Sequence, residues 1–143
     1  MNSWLKPVKT AIALNNGFVL LTIISTKGST PCSNGDKIVF SGAESVFGSI
    51  GGGNLEFKAL SFAEELLSLN SNGTYLKKYP LGASLGQCCG GYVNVMFESF
   101  IQSDSINSWI ETVSSLLQDS EDFVVATIVD SNYKNEFGSK KFV

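Results

Sequence analysis

Cys88 and Cys89 stand side by side, preceded by Gly86-Gln87 and followed by Gly90-Gly91. Glycines on both sides leave the sulfurs on a pliant backbone. Thiolates are soft metal ligands, and good nucleophiles once their pKa falls. A free cysteine also serves as a small buried residue, although flanking glycines argue against simple core filling. A second cluster, Gly48-Ser49-Ile50-Gly51-Gly52-Gly53-Asn54-Leu55-Glu56, offers a different chemistry. Ser45-Val46-Phe47 before it reads as a short strand. After it, Leu55, Ala59, Phe62, Leu66 and Leu69 recur at helical spacing, with Ser61, Glu64, Glu65 and Ser68 on another face. A strand, a glycine loop and a helix N-terminus gather unpaired N–H groups and the positive end of a helix dipole, a place for an anion such as a phosphate. A mechanical reading stands beside this one: the glycines let the helix pack closely on the sheet. The loop is neither a Walker A sequence nor a dinucleotide fingerprint.

Composition narrows the chemistry further. The 143 residues include no histidine, which removes the usual general base, the Ser-His and Cys-His pairs and imidazole metal sites. All ten basic residues are lysine and the net charge is −3, so nucleic acid is not expected as a partner. The three cysteines, Cys32, Cys88 and Cys89, are odd in number and lack paired zinc-site spacing, so they read as thiols. The apolar runs are too short to span a bilayer and the start does not resemble a signal peptide. A cytoplasmic protein with no membrane partner is the expectation.

The remaining elements must position the two loops. Residues 3–14 read as a helix, with Pro7 near its first turn and Asn15-Asn16-Gly17 as its stop. Phe18 to Ser25 is a nearly continuous apolar strand, covered on both faces. Lys27 to Gly35 is dense in turn residues, and Lys37–Phe40 with Ser45–Phe47 forms a hairpin. Thr74 to Tyr79 reads as a more exposed strand ended by Pro80. Tyr92 to Glu98 alternates, with Val93, Val95 and Phe97 on one side. Ile106, Trp109, Ile110, Val113, Leu116 and Leu117 mark a helix capped by Ser103 or Asp104, and Phe123 to Val129 reads as a last strand. Hairpins mixed with helical crossovers predict one α+β domain over residues 1–143, a mixed sheet with helices packed on it.

The combination Gly28-Ser29-Thr30-Pro31, Gly35-Asp36-Lys37, Gly48 to Glu56 and Gly86-Gln87-Cys88-Cys89-Gly90-Gly91 resembles the XdhC/CoxI family, accessory proteins for molybdenum hydroxylases such as xanthine dehydrogenase. The similarity is strongest over about residues 18–118. The resemblance implies an escort rather than an enzyme. It would hold the molybdenum cofactor, a molybdopterin, during sulfuration and insertion into the apo-hydroxylase. A cysteine desulfurase would be a second partner, and a homodimer is compatible. The residues given to the cofactor are Gly51, Gly52, Gly53, Asn54, Gln87, Cys88, Cys89, Gly90 and Lys37, with Cys88 and Cys89 able to contact molybdenum. The terminal phosphate of the cofactor suits the first loop, and Lys27 and Lys37 flank the turn region beside it. Two departures stand out. Cys32 occupies the place of the family's arginine, and the chain stops before the Rossmann-like second domain of longer members. Two other functions fit the same residues: a thiol-based sulfur-transfer protein using Cys88 or Cys89, and an interaction domain that binds no cofactor.

Overall fold

The computed structural model describes residues 4–82, 91–101, 104–119, 122–127 and 141–142. Among these, α1 (Leu5–Ala13) leads into the apolar strand β1 (Phe18–Lys27), followed by β2 (Lys37–Phe40) and β3 (Val46–Gly48). Helix α2 (Gly53–Ser68) comes next, then β4 (Gly73–Pro80), β5 (Tyr92–Phe100) and α3 (Asp104–Gln118). The short strands β6 (Ala126–Thr127) and β7 (Lys141–Phe142) pair with each other in a separate ribbon.

The main sheet has the order β3-β2-β1-β5-β4, and the pairs β1–β2, β1–β5, β2–β3 and β4–β5 are all antiparallel. The α+β class is therefore as read from the sequence, while the sheet is antiparallel rather than mixed. The reason lies in the crossover. β3 and β4 run in the same direction and α2 links them, but they form opposite edges of the sheet. The helical connection thus joins two strands that never touch.

β1 and β5 are the central strands, and period-two alternation sends their side chains into two cores. Val19, Leu21, Ile23, Val93, Val95 and Phe97 pack against Leu55, Ala59, Ala63 and Leu66 of α2. Phe18, Leu20 and Phe100 pack on the opposite face against Val8 and Ala11 of α1 and Ile106, Ile110 and Val113 of α3. Burying one Leu-sized side chain contributes roughly 1.5–3 kcal/mol, so the apolar stripe holds α2 in place. That stripe is shifted from the sequence reading. Ala63 is fully buried and Phe62 partly so, whereas Leu69 is 61% exposed because the helix ends at Ser68. The expected strand over Phe123–Val129 is also shorter: only Ala126–Thr127 is strand, and 123–125 carry no regular structure.

Candidate functional site

The register of the strands determines where each loop leaves the sheet. Lys27, the last residue of β1, pairs with Tyr92, the first of β5, and Tyr92 also pairs with Pro80, the last of β4. Thr22 pairs with Lys37 at the start of β2, and Ile38 pairs with Gly48 at the end of β3. The turn region 28–36, the glycine loop 49–52 and the second glycine loop therefore all emerge from one end of the sheet. Leu81 N–H donates to Gly91 C=O at 2.9 Å and closes the stem of the second loop. Gln87, Cys88, Cys89 and Gly90 lie outside the described residues, as does the position of their side chains relative to Gly51–Gly53.

The first two loops meet directly. Gly51 has φ of +101°, and a Cβ there would stand 2.6 Å from Pro31 Cβ and 2.9 Å from Pro31 O. The Gly-Ser-Thr-Pro turn is thus seated on the triple glycine, a contact that only a bare backbone allows. Gly52 and Gly53 also have left-handed φ, +72° and +64°, yet nothing lies within 4 Å of where their Cβ atoms would be. They present open backbone at the N-terminus of α2. One stretch of three glycines therefore serves both readings, close packing at Gly51 and an accessible helix N-terminus at Gly52 and Gly53.

Glu56 is the residue whose part the sequence understated. Its Oε2 accepts the Ser49 hydroxyl at 2.7 Å, the Ile50 N–H at 3.1 Å and the Gly52 N–H at 2.9 Å. Ser49 Oγ in turn accepts the Gly51 N–H at 3.1 Å. Burial pulls the Glu56 pKa upward, but hydrogen bonds from Ser49, Ile50 and Gly52 outweigh it and hold the carboxyl below its ordinary range. The loop already contains a carboxylate at donors that an incoming anion would use. The helix's own first amides, at Gly53 and Asn54, have no intrahelical acceptor and remain for a ligand. A signal for this existed in the sequence: a glutamate in the first turn behind a Ser-Ile-Gly-Gly run can fold back on it, as the acid of a capping box does.

Lys37 does not join the loop. Its strand neighbours Ile38 and Phe40 face α2, so alternation turns Lys37 to the other face of the sheet. There its ammonium donates to Thr22 Oγ1 at 2.9 Å and lies 5.8 Å from the centre of the Trp4 ring. Lys27, with its ammonium 6.0 Å from the Tyr92 ring, stays at the sheet end where the loops emerge. Cys32, standing where an arginine was expected, is buried at 7% exposure in the core that also holds Ile50 and Leu55. Burial pushes its thiol pKa up, and the Asp36 carboxylate adds to the effect. It therefore offers the core a small apolar group rather than a thiolate. Tyr79, near the stem of the second loop, went unmarked in the sequence. Its buried hydroxyl has no hydrogen-bond partner among the described residues, and burial together with the Glu65 carboxylate pushes its pKa up to about 12.

Among the described residues no group of three or more histidine, cysteine or acidic side chains is placed to hold a metal. No helix among them is long and apolar enough to cross a membrane.

Residues 11–79 match the model of the XdhC and CoxI family. Over those residues, which take in the Gly-Ser-Thr-Pro turn, the triple glycine and α2, the chain is similar to that family. Among solved structures, a Bacillus halodurans crystal structure described as a xanthine dehydrogenase has the same fold, with a TM-score of 0.62 at 20% identity. The alignment covers 82% of this chain and 35% of that one, so the chain spans about a third of the length of its structural neighbour. No curated protein matches the sequence significantly.

Proposed function

We propose that this chain is an accessory domain for a xanthine dehydrogenase-type molybdenum hydroxylase, holding the molybdenum cofactor for sulfuration and insertion rather than catalysing a reaction itself. The observation that carries the reading is the seating of the Gly-Ser-Thr-Pro turn on the triple glycine at the N-terminus of α2, at the sheet end where β4 stops and β5 starts. The similarity of residues 11–79 to an accessory family supports it.

The residues fit the cofactor in one respect and modify the expectation in another. Gly52 and Gly53 leave open space over the N-terminus of α2. The amides of Gly53 and Asn54 would hold the phosphate with the help of the helix dipole. Ile50 and Gly52 are not available for that role, because Glu56 already takes their amides. Glu56 also places a negative charge beside the anion, which lowers affinity and suits a protein that must release what it carries. Bound there, the cofactor would supply its molybdenum and dithiolene sulfur. Gln87, Cys88, Cys89 and Gly90 are the second half of the proposed site, with the thiols as further soft ligands or guards of the sulfido group.

The accessory role is tested by adding the cofactor-loaded chain to an apo-hydroxylase and following recovery of hydroxylase activity. The expected result is faster activation than with the same amount of free cofactor. Equal rates with and without the chain would refute the role.

A further inference from the structure

We propose that the half of the sheet face beyond α1 and α3 is a docking surface for an extended, acidic segment of a partner protein, held between the ammonium groups of Lys27 and Lys78. Strand register assembles this surface. Phe18 and Leu20 of β1, Val39 of β2 and Phe100 of β5 lie beneath the two helices. Toward the end where the loops emerge, alternation keeps Lys37, Lys78, Tyr92 and Asn94 on that same face. Lys27 joins them through an irregularity. The register of β1 shifts between Ile23 and Ser25, so Ser25 and Lys27 take the places that Ile24 and Thr26 would otherwise hold. Asn94 Nδ2 donates to Ser25 Oγ at 2.8 Å, which fixes the new parity. Without the shift Lys27 would face the α2 side of the sheet.

The charge on this surface selects an anion. Lys78 Nζ stands 3.9 Å and Lys27 Nζ 6.0 Å from the centre of the Tyr92 ring. Both lysines are exposed, and among the described residues neither has a carboxylate partner. The ring attracts each ammonium, but two like charges held at one ring repel each other. A carboxylate between them offsets that repulsion. No strand residue on this half of the face is acidic, and Glu98, which pairs with Leu20 on the same face, is fully buried. In a chain of net charge −3 this is a local excess of positive charge.

The spread of the charge selects a peptide. Lys37, paired with Thr22, adds a third positive charge about 15 Å along β1 from Lys27, at the usual strand rise. A lone phosphate cannot meet both ends, whereas about five residues of extended chain span the distance. Nucleic acid is disfavoured by the net negative charge and the lack of arginine. The surface lies on the face opposite α2, so its test is independent of the cofactor reading.

Fluorescence anisotropy tests the surface, with the full chain titrated into a labelled peptide of about eight residues carrying glutamate at every second position. The expected result is saturable, salt-sensitive binding that weakens about three- to tenfold in Lys27→Glu and in Lys78→Glu. Lys58→Glu, an equal change of net charge at an exposed position on α2, should leave it unchanged. A peptide with lysine in place of glutamate should bind the Lys27→Glu/Lys78→Glu double variant more tightly than it binds wild type, which also shows that the variant keeps its surface. A wild-type chain that does not bind the acidic peptide at about 1 mM overturns the proposal. So does equal binding of a glutamine-for-glutamate peptide, or equal weakening by Lys58→Glu. Binding to phosphatidylserine vesicles without binding to the peptide overturns it in favour of a membrane surface.

Discussion

Replacing Glu56 with alanine should cost this protein more stability than any other single change at an acidic residue on α2. Three donors converge on Glu56 Oε2, from Ser49 at 2.7 Å, Ile50 at 3.1 Å and Gly52 at 2.9 Å. A hydrogen bond to a charged group contributes roughly 1.5–3 kcal/mol. Here one oxygen serves all three, and the Ser49 contact is open to solvent, which screens it. The expected loss is therefore about 2–3 kcal/mol rather than the full sum. For a chain of this size that lowers Tm by about 5–10 °C. Glu56→Gln retains an acceptor oxygen without the charge and should lose about half as much. The pH dependence follows from the lowered pKa of Glu56. A carboxylate with a depressed folded-state pKa contributes stability that is fully present above its unfolded value, roughly 4.3, and lost as pH falls through the folded value. The gap between wild type and Glu56→Gln should accordingly be constant at neutral pH and close in acid. Urea unfolding followed by circular dichroism at several pH values measures it. An alanine variant as stable as wild type, or a gap that does not change with pH, would refute the capping role.

The glycines should separate by position. Gly51→Ala meets Pro31 as well as a left-handed φ, so it should cost clearly more than Gly52→Ala, which meets no neighbour and costs about 1–2 kcal/mol for its backbone alone. Denaturant midpoints of the two variants, if equal or reversed, would contradict the seating of Pro31 on Gly51. Cys32 should resist alkylation at neutral pH in the folded protein and react only on unfolding, because it is buried with a raised pKa; rapid native-state labelling, read by peptide mass spectrometry, would contradict its burial. Removing the charge at Glu56 should tighten inorganic phosphate binding several-fold in titration calorimetry, since the loop donors are then less fully occupied. Unchanged or weaker binding would show that Glu56 does not oppose an anion there.

Much of the fold was legible because its elements carry strong local signals. The continuous apolar run of β1 announced a central strand, and the spacing of Leu55, Ala59 and Leu66 announced α2. What the sequence left undetermined was relational. Nothing local says that β3 and β4, joined by a helix, end on opposite edges of the sheet. At the site, the bare backbone of Gly51–Gly53 was readable from composition, but which glycine packs and which stays open depends on Pro31, some twenty residues earlier. Lys37 could have been set aside by strand parity, since its neighbours Ile38 and Phe40 plainly face the core. The role of Glu56 required the loop geometry, because its side chain reaches back to residues 49, 50 and 52 only when the glycines turn the chain as they do.

The most direct measurement is equilibrium binding of molybdopterin, with and without molybdenum, to the purified chain and to Gly52→Val. Gly52 has left-handed φ and open space around it, so valine there should obstruct approach to the helix N-terminus. The account predicts that the wild-type chain binds both forms of the cofactor. It predicts that Gly52→Val, checked for native circular dichroism, weakens both alike by about ten- to a hundredfold, the equivalent of one charge-assisted hydrogen bond. A wild-type chain that binds neither form, or a folded Gly52→Val variant that binds as tightly as wild type, would contradict it.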